Sequence, residues 1–161
     1  MKKFLNLFTI LLVALSFTIT YSISATSDKK DEILTIENNQ ELKEILESKD
    51  PGDKKIAAFA KKYHGRKIEF DAYTASVAPH GKAKTRFDYL LYAGNYDNES
   101  LSGPNFQLFD VNYYDLHLEG EDVPDTFGVD LNIRIVATVE SYQENSELFR
   151  IKPVKITMRH H

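Results

Sequence analysis

The sequence contains no cysteine and no tryptophan, and only 7 glycines and 5 prolines occur among its 161 residues. Without cysteine we expect no disulfide scaffold, no thiol nucleophile and no lipid-modified lipoprotein anchor. The few glycines and prolines exclude a collagen-like chain, and a hydrophobic content of 42% excludes a strongly disordered one. The fold must therefore be held by a hydrophobic core.

The N-terminal residues have the pattern of a secretory signal peptide. Two lysines precede an apolar run over residues 4–19, and small residues follow it. We predict a signal peptide over residues 1–25, cleaved after Ser24 or Ala25, and a secreted, extracellular protein. An uncleaved N-terminal membrane anchor is the alternative, because the apolar run approaches the roughly 18 residues that a spanning helix needs.

The charge balance disfavours nucleic acid as a partner. Cleavage would remove two of the 20 basic residues and none of the 24 acidic ones, which leaves 18 basic residues and a formal charge of −6. Phosphate backbones are bound through clustered lysine and arginine, so a net negative surface works against that binding. Anionic membrane surfaces are disfavoured for the same reason, and membrane contact is expected only through an uncleaved signal segment.

Two helices are predicted before the strands begin. The first covers about 39–48, where Asn38 or Asn39 can cap an apolar stripe at helical spacing. The second covers about 51–64, with Asp50 as its N-cap. Both helices would place their apolar sides against the rest of the domain.

The second half of the chain changes to a period of two, which is typical of strands. Five strands are predicted at 67–77, 86–93, 106–111, 130–142 and 148–158. One long acidic connection, 112–128, separates the third strand from the fourth.

The fold class is therefore predicted as α+β. Residues 26–33 would form a flexible tether, and 34–161 a single globular domain with a β-barrel over about 66–159. An N-terminal helical segment followed by a five-stranded OB-like small barrel matches the strand number and the place of the long connection. An antiparallel sheet packed on two helices is the alternative.

Several blocks of the sequence resemble a known bacterial family. The blocks include Glu37-Asn38-Asn39, Phe59-Ala60, Lys62-Tyr63, Gly65-Arg66, Ile68-Glu69-Phe70-Asp71, Lys84-Thr85-Arg86, Gly103-Pro104, Phe109-Asp110-Val111-Asn112, Asp115-Leu116 and Pro124-Asp125. Over residues 34–159 the chain resembles the family described as domain of unknown function 4839, and this resemblance implies no activity. More remotely, the layout of the strands is similar to that of secreted OB-fold barrels of the tRNA-anticodon-binding type.

Charged residues on neighbouring strands are the catalytic candidates. Asp71, Arg86, Asp88 and Asp110 would suit a metal-dependent, phosphodiesterase-like hydrolase if they met on one face, because carboxylates hold a cation and arginine stabilises a phosphorane. Cross-strand ion pairing on a solvated face is the alternative interpretation. The motifs of the common hydrolases are absent.

Two acidic loops are the metal candidates, because calcium prefers several oxygen ligands. The candidate ligands are Asp97, Glu99, Asp115 and Glu119. Neither loop has the EF-hand pattern, so a solvated acidic loop is the alternative, and calcium is the one cofactor considered. The three histidines on separate elements would bind zinc only if the fold assembled them: His64, His80 and His117.

Aromatic side chains on the strands are the ligand-binding candidates. The set expected to escape the core is Tyr73, Tyr92, Phe109, Tyr113 and Tyr114. In an OB-like barrel the second and third strands form the binding face, where rings stack on sugars or bases. The alternative is that the helices cover this face.

These patterns favour a non-catalytic extracellular binding module for a glycan, a peptide or an envelope protein, since no catalytic motif is present. The metal-dependent hydrolase is one alternative. A structural or stress-response accessory protein, held by a partner through 112–128, is the other.

Overall fold

The computed structural model describes residues 31–96 and 103–159. The predicted signal peptide and its cleavage site lie outside these residues. Within the described part of the chain, no helix has the length and apolar content needed to cross a membrane. The described residues contain two short helices and a β-sheet that closes on itself.

The two helices begin at side-chain caps. Helix α1 covers Gln40–Leu46, and the Asn39 side chain accepts a hydrogen bond from the Leu42 N–H at 2.8 Å. Helix α2 covers Lys54–Lys62. The prediction that Asp50 caps this helix is wrong.

The helix cap is Asp53, whose side chain accepts the Lys55 N–H at 2.9 Å. The Asp50 carboxylate instead accepts the Gly52 N–H at 2.9 Å, which closes a turn before the helix. An aspartate followed by Pro-Gly suits such a turn as well as a helix start, so the sequence alone did not separate the two.

Six strands and one single-turn helix follow. The strands are β1 (Lys67–Pro79), β2 (Phe87–Ala93), β3 (Asn105–Val111), β4 (Leu118–Glu119), β5 (Asn132–Gln143) and β6 (Leu148–Met158), with a 3₁₀ turn at Tyr113–Leu116. Their order is β3-β2-β1-β5-β6-β4, and β3 also pairs with β6 in parallel. That extra pairing closes β1, β2, β3, β6 and β5 into a five-stranded barrel, which rules out the open sheet that was the alternative.

The barrel interior holds a line of phenylalanine rings. The Phe106 ring lies 4.4 Å from Phe70 and 5.2 Å from Phe149, measured between centroids. Phe149 in turn contacts Phe59 of α2 at 6.3 Å. The helix is therefore attached to the barrel through aromatic packing that is continuous with the core.

Two irregularities shape one end of the barrel. The β2–β3 register shifts so that Phe109 and Asp110 together lie opposite Asp88, which is a β-bulge. The parallel pairing of β3 with β6 covers only 105–107 and 148–150. Beyond it the two strands separate and leave an open cleft.

Candidate functional site

The candidate site is the cleft between β3 and β6 where their pairing ends, here named the β3–β6 cleft. Its volume is about 400 Å³. The side chains that line it and carry hydrogen-bonding groups are Arg86, Asp110, Asp115, His117, Glu140 and Lys152, with Phe109 at its edge. The cleft thus combines one aromatic ring with donors and acceptors of both charges.

Phe109 is held at the cleft between an arginine and a histidine side chain. Its ring is 39% exposed. The Arg150 guanidinium lies 3.9 Å from the ring centroid, and the His80 ring meets it edge-on at 4.7 Å. Arg150 is itself fixed by donating from Nε to Gln107 Oε1 at 3.2 Å. Phe109 is therefore a partly open ring with the Arg150 guanidinium over it and His80 at its edge.

An ion-pair cluster lies beside this ring. Arg86 Nε donates to Asp110 Oδ1 at 2.5 Å, and a second guanidinium nitrogen donates to the Asp110 carbonyl. Asp88 accepts the Asp110 N–H at 2.8 Å and lies 3.0 Å from His80 Nδ1. Asp115 is 3.8 Å from Arg86. The β-bulge directs Asp110 to this position, since it turns that residue out of the regular strand alternation.

The cluster is electrostatically paired. The hydrogen bond from Arg86 lowers the pKa of Asp110, and the same bond raises the pKa of Arg86. Both groups are therefore charged and neutralise each other across the neutral pH range. Arg86 is consequently poorly placed to stabilise additional negative charge of a reacting phosphate.

The structure brings together three of the four hydrolase candidates. Arg86, Asp88 and Asp110 meet in the cluster, but Asp71 lies elsewhere on β1. Its carboxylate accepts hydrogen bonds from Arg134 Nε at 2.7 Å and pairs with Arg159 at 3.1 Å. Asp71 faces β5, because cross-strand pairing places it directly opposite Arg134.

The aromatic candidates separate into different environments. Tyr73 is only 8% exposed, so the expectation that it escapes the core is wrong. It points outward but is covered by Tyr92 at 5.8 Å and by Tyr96 at 5.9 Å. Tyr113 donates its hydroxyl to the Pro124 carbonyl and so fastens the long connection.

Tyr114 is the most exposed of the set, at 84%. It lies on the 3₁₀ turn next to Asp115 and contacts Tyr113 edge-on at 5.9 Å. Of the five predicted aromatics, only Phe109 lines the cleft among the residues that the structure describes.

The metal candidates are dispersed. Asp97 and Glu99 lie outside the described residues. Glu119 pairs with Lys155 at 3.7 Å, and Asp115 belongs to the Arg86 cluster. In ranges 31–96 and 103–159 no group of three or more histidine, aspartate or glutamate side chains is arranged to hold a metal ion.

The three histidines considered for zinc have separate surroundings. His64 Nδ1 lies 2.5 Å from the Glu140 carbonyl, just after α2. His80 contacts Asp88 and Phe109, and His117 ends the 3₁₀ turn in the left-handed region with φ 49°.

Sequence reasoning did not identify Arg150 and Lys152 as site residues, and it considered His80 only as a zinc ligand. Arg150 reaches Phe109 because β6 pairs in parallel with β3, 43 positions away in the sequence. No local pattern marks that contact. The available signal was that Arg150 and Lys152 stand two positions apart on one strand, a spacing that places both side chains on the same face.

The comparisons with known proteins identify a family without an assigned activity. The model of the family described as "Domain of unknown function (DUF4839)" matches residues 37–159. No curated protein and no solved structure matches the chain.

Proposed function

We propose, for a chain that belongs to the DUF4839 family, a role as a secreted, non-catalytic domain that binds a glycan in the β3–β6 cleft. The observation that carries this proposal is the Phe109 ring, open at the cleft and bordered by Arg150, His80 and the Arg86–Asp110 pair. A sugar ring offers an apolar face and a rim of hydroxyl groups, and the cleft offers the complement of each. Secretion is supported by the signal-peptide pattern.

The shape of the barrel supports the same ligand class. Without the short β4, the strands follow the cyclic order first, second, third, fifth, fourth, with the third and fifth parallel. We interpret this closed barrel as OB-like, a fold whose second and third strands bind oligosaccharides and oligonucleotides. The formal net charge is −4 for the full sequence and −6 after the proposed signal-peptide cleavage, which disfavours the oligonucleotide and leaves the glycan as the better ligand.

The polar lining suits hydroxyl groups better than a single strong charge. Each sugar hydroxyl both donates and accepts, so carboxylates and cations can bind it side by side. Asp115 and Lys152 provide such groups in the cleft, together with Glu140. A strongly anionic ligand would meet the carboxylates of the same lining and is disfavoured.

The hydrolase alternative has less support. Arg86 is engaged by Asp110, and Asp71 is paired with Arg134 on another face. The accessory-protein alternative requires that a partner bind the 112–128 connection, whose exposed residues include Tyr114 and Val123. That connection is fastened to the barrel by the Tyr113 hydroxyl and by the pairing of β4 with β6.

The test is calorimetric titration of residues 26–161 with glycan strands freed of their peptides, and separately with the released peptides, both prepared from peptidoglycan. We expect the glycan strands to bind and Phe109→Ala to weaken binding by about tenfold, because the stacked ring is lost. Tyr96→Ala is the matched control, since Tyr96 is exposed to a similar extent, 46%, outside the cleft.

Equal binding by Phe109→Ala and by the unmodified protein would contradict the proposal. So would binding of the released peptides alone. A thermal melt of both variants confirms that each is folded before it is titrated.

A further inference from the structure

A second cavity lies on the other side of the barrel, between α1, the residues before it, and β1. It has a volume of about 320 Å³ and is here named the β1-edge cavity. Its floor is apolar and is formed by Leu46, Phe70 and Ala93. None of its lining residues belongs to the β3–β6 cleft, so a ligand bound here would be independent of the proposed glycan site.

The backbone of β1 has a gap in its pairing at this cavity. The Arg66 carbonyl accepts the Val139 N–H at 2.9 Å and the Thr74 N–H donates to the Leu131 carbonyl at 3.1 Å, so the backbone N–H and C=O groups of the even-numbered residues are directed toward β5. The backbone N–H and C=O groups of the odd-numbered residues are therefore directed to the opposite edge of β1. The register between β1 and β5 is unbroken over this stretch.

That opposite edge is occupied at both ends of the gap. Leu34 donates to the Lys67 carbonyl at 2.9 Å and accepts the Glu69 N–H at 2.8 Å. Further along, the Asp71 carbonyl accepts the Gly94 N–H at 2.8 Å. Among the described backbone groups, this leaves the Glu69 carbonyl and the Asp71 N–H directed at the cavity.

These two groups repeat the spacing that Leu34 uses. Leu34 bonds the carbonyl of one residue and the N–H of the residue two positions later, in a parallel bridge. One extended residue placed in the cavity would bond the Glu69 carbonyl and the Asp71 N–H in the same way. The backbone of a peptide satisfies this pattern, whereas a glycan has no such N–H and carbonyl pair at strand spacing.

The rim of the cavity selects the charge of the ligand. Its two basic side chains are engaged, since Lys43 pairs with Glu47 at 3.9 Å and Arg134 with Asp71 at 2.7 Å. The rim carboxylates of Glu37 and Glu69 lie beyond ion-pair distance of every described cation, and Arg134, already bonded to Asp71, interacts with them only at longer range, so the four acidic groups of the rim outnumber its two cations. Ile36, which is 48% exposed, adds an apolar contact at the entrance.

We propose that the β1-edge cavity binds an extended peptide in which an apolar side chain is flanked by lysine or arginine. One residue of the peptide continues the pairing of Leu34 along β1. Its apolar side chain packs on Phe70 and Ala93, and its basic neighbours lie near Glu37 and Glu69. Specificity comes from the charge, and the orientation comes from the two backbone hydrogen bonds.

The probe is a five-residue peptide with blocked ends that has valine at its first, central and last positions and lysine at the two positions between them, compared with the same peptide carrying glutamate in place of lysine. Binding is measured by fluorescence anisotropy, and the amide resonance of Asp71 is followed by ¹⁵N NMR. We expect the lysine peptide to bind and to shift the Asp71 resonance. Replacing its central residue by an N-methylated one, which removes the donor to Glu69, should abolish the shift.

The matched variants test the charge. The double variant Glu37→Gln and Glu69→Gln removes the two exposed carboxylates that would pair with the lysines of the peptide. It should weaken binding of the lysine peptide by about two- to tenfold. Glu119→Gln removes an exposed carboxylate from β4 and should leave binding of the lysine peptide unchanged. Equal binding of the glutamate peptide, an unmoved Asp71 resonance, or no binding at about 1 mM peptide would overturn the proposal. Phe109→Ala should have no effect, which separates this result from the glycan experiment.

Discussion

At the scale of the residue, Asp110 shows how a strand irregularity creates a site. Its φ of 54° lies in the left-handed region, which aspartate tolerates better than most residues. The backbone turn is stabilised by Asp88, which accepts the Asp110 N–H, and by Arg86, which bonds both the side chain and the carbonyl of Asp110. The bulge and the ion pair therefore stabilise each other.

The pH dependence of stability tests this pairing. The hydrogen bond from Arg86 lowers the pKa of Asp110 from its ordinary value of 3.8, which the unfolded chain keeps. A carboxylate whose pKa is lower in the folded than in the unfolded state stabilises the fold at pH values above its unfolded-state pKa. This stabilisation is lost as the pH falls through the lowered, folded-state pKa. We expect Asp110→Asn to be less stable than the unmodified protein at pH 7, with the difference shrinking as the pH falls below 3.8 toward the lowered pKa of Asp110.

Urea unfolding at a series of pH values measures this difference. The control is the same substitution in an Arg86→Gln background, where the partner is missing and the pH-dependent difference should vanish. A difference that stayed constant from neutral to acidic pH would show that Asp110 acts through the backbone turn alone.

At the scale of the element, local patterns predicted the strands better than the helix starts. The final strand was predicted at 148–158 and is observed there, because its alternation is local. The start of α2 was misplaced, since Asp50 and Asp53 both precede helical residues and only the backbone path separates a turn from a cap. Tyr73 was predicted to be exposed from the same alternation, but the rings of Tyr92 and Tyr96 cover it from other parts of the chain.

The site itself could be predicted only in part. Asp88 of β2, Phe109 and Asp110 of β3, and Arg86 directly before β2 belong to strands that are neighbours in sequence as well as in space. Arg150 and Lys152 reach the cleft from β6 through the closure of the barrel. A contact made by long-range strand pairing is not marked in the sequence pattern of either strand, although each strand can be predicted from its own alternation.

The cap of α1 gives a prediction for the helical pair. Asn39 accepts the Leu42 N–H and donates to the Tyr63 hydroxyl at 3.1 Å, so it joins α1 to the end of α2. We expect Asn39→Ala to lower the free energy of unfolding by about 1–2 kcal/mol. Asn39→Asp keeps the cap but not the donor and should lie between the two.

Urea denaturation of the three proteins measures this order. Gln40→Ala is the control on the same helix turn, because Gln40 is exposed and its side-chain hydrogen bond within the described residues goes to Glu44, at 3.4 Å. An Asn39→Ala variant as stable as Gln40→Ala would contradict the assigned role of Asn39.

At the scale of the whole molecule, the strands of the barrel differ in how much of their length is paired with neighbouring strands. Strand β5 pairs with β1 over 132–138 and with β6 over 133–143, so it has a neighbour on both edges for most of its length. Strand β3 pairs with β6 only over 105–107, and its pairing with β2 is interrupted by the bulge. The closing seam is therefore the part of the barrel with the least hydrogen bonding, and it is also the part that forms the cleft.

This asymmetry predicts the order in which the barrel opens. Local openings expose first those amides whose neighbours are few, so β3 should exchange its amide hydrogens faster than β5 under native conditions. Native-state hydrogen exchange measured residue by residue checks this order. A glycan bound across the β3–β6 cleft should slow exchange in β3 and leave β5 unchanged, because it adds contacts only at the seam. Identical exchange rates in the two strands would show instead that the barrel opens as one cooperative unit and that the cleft is as rigid as the core.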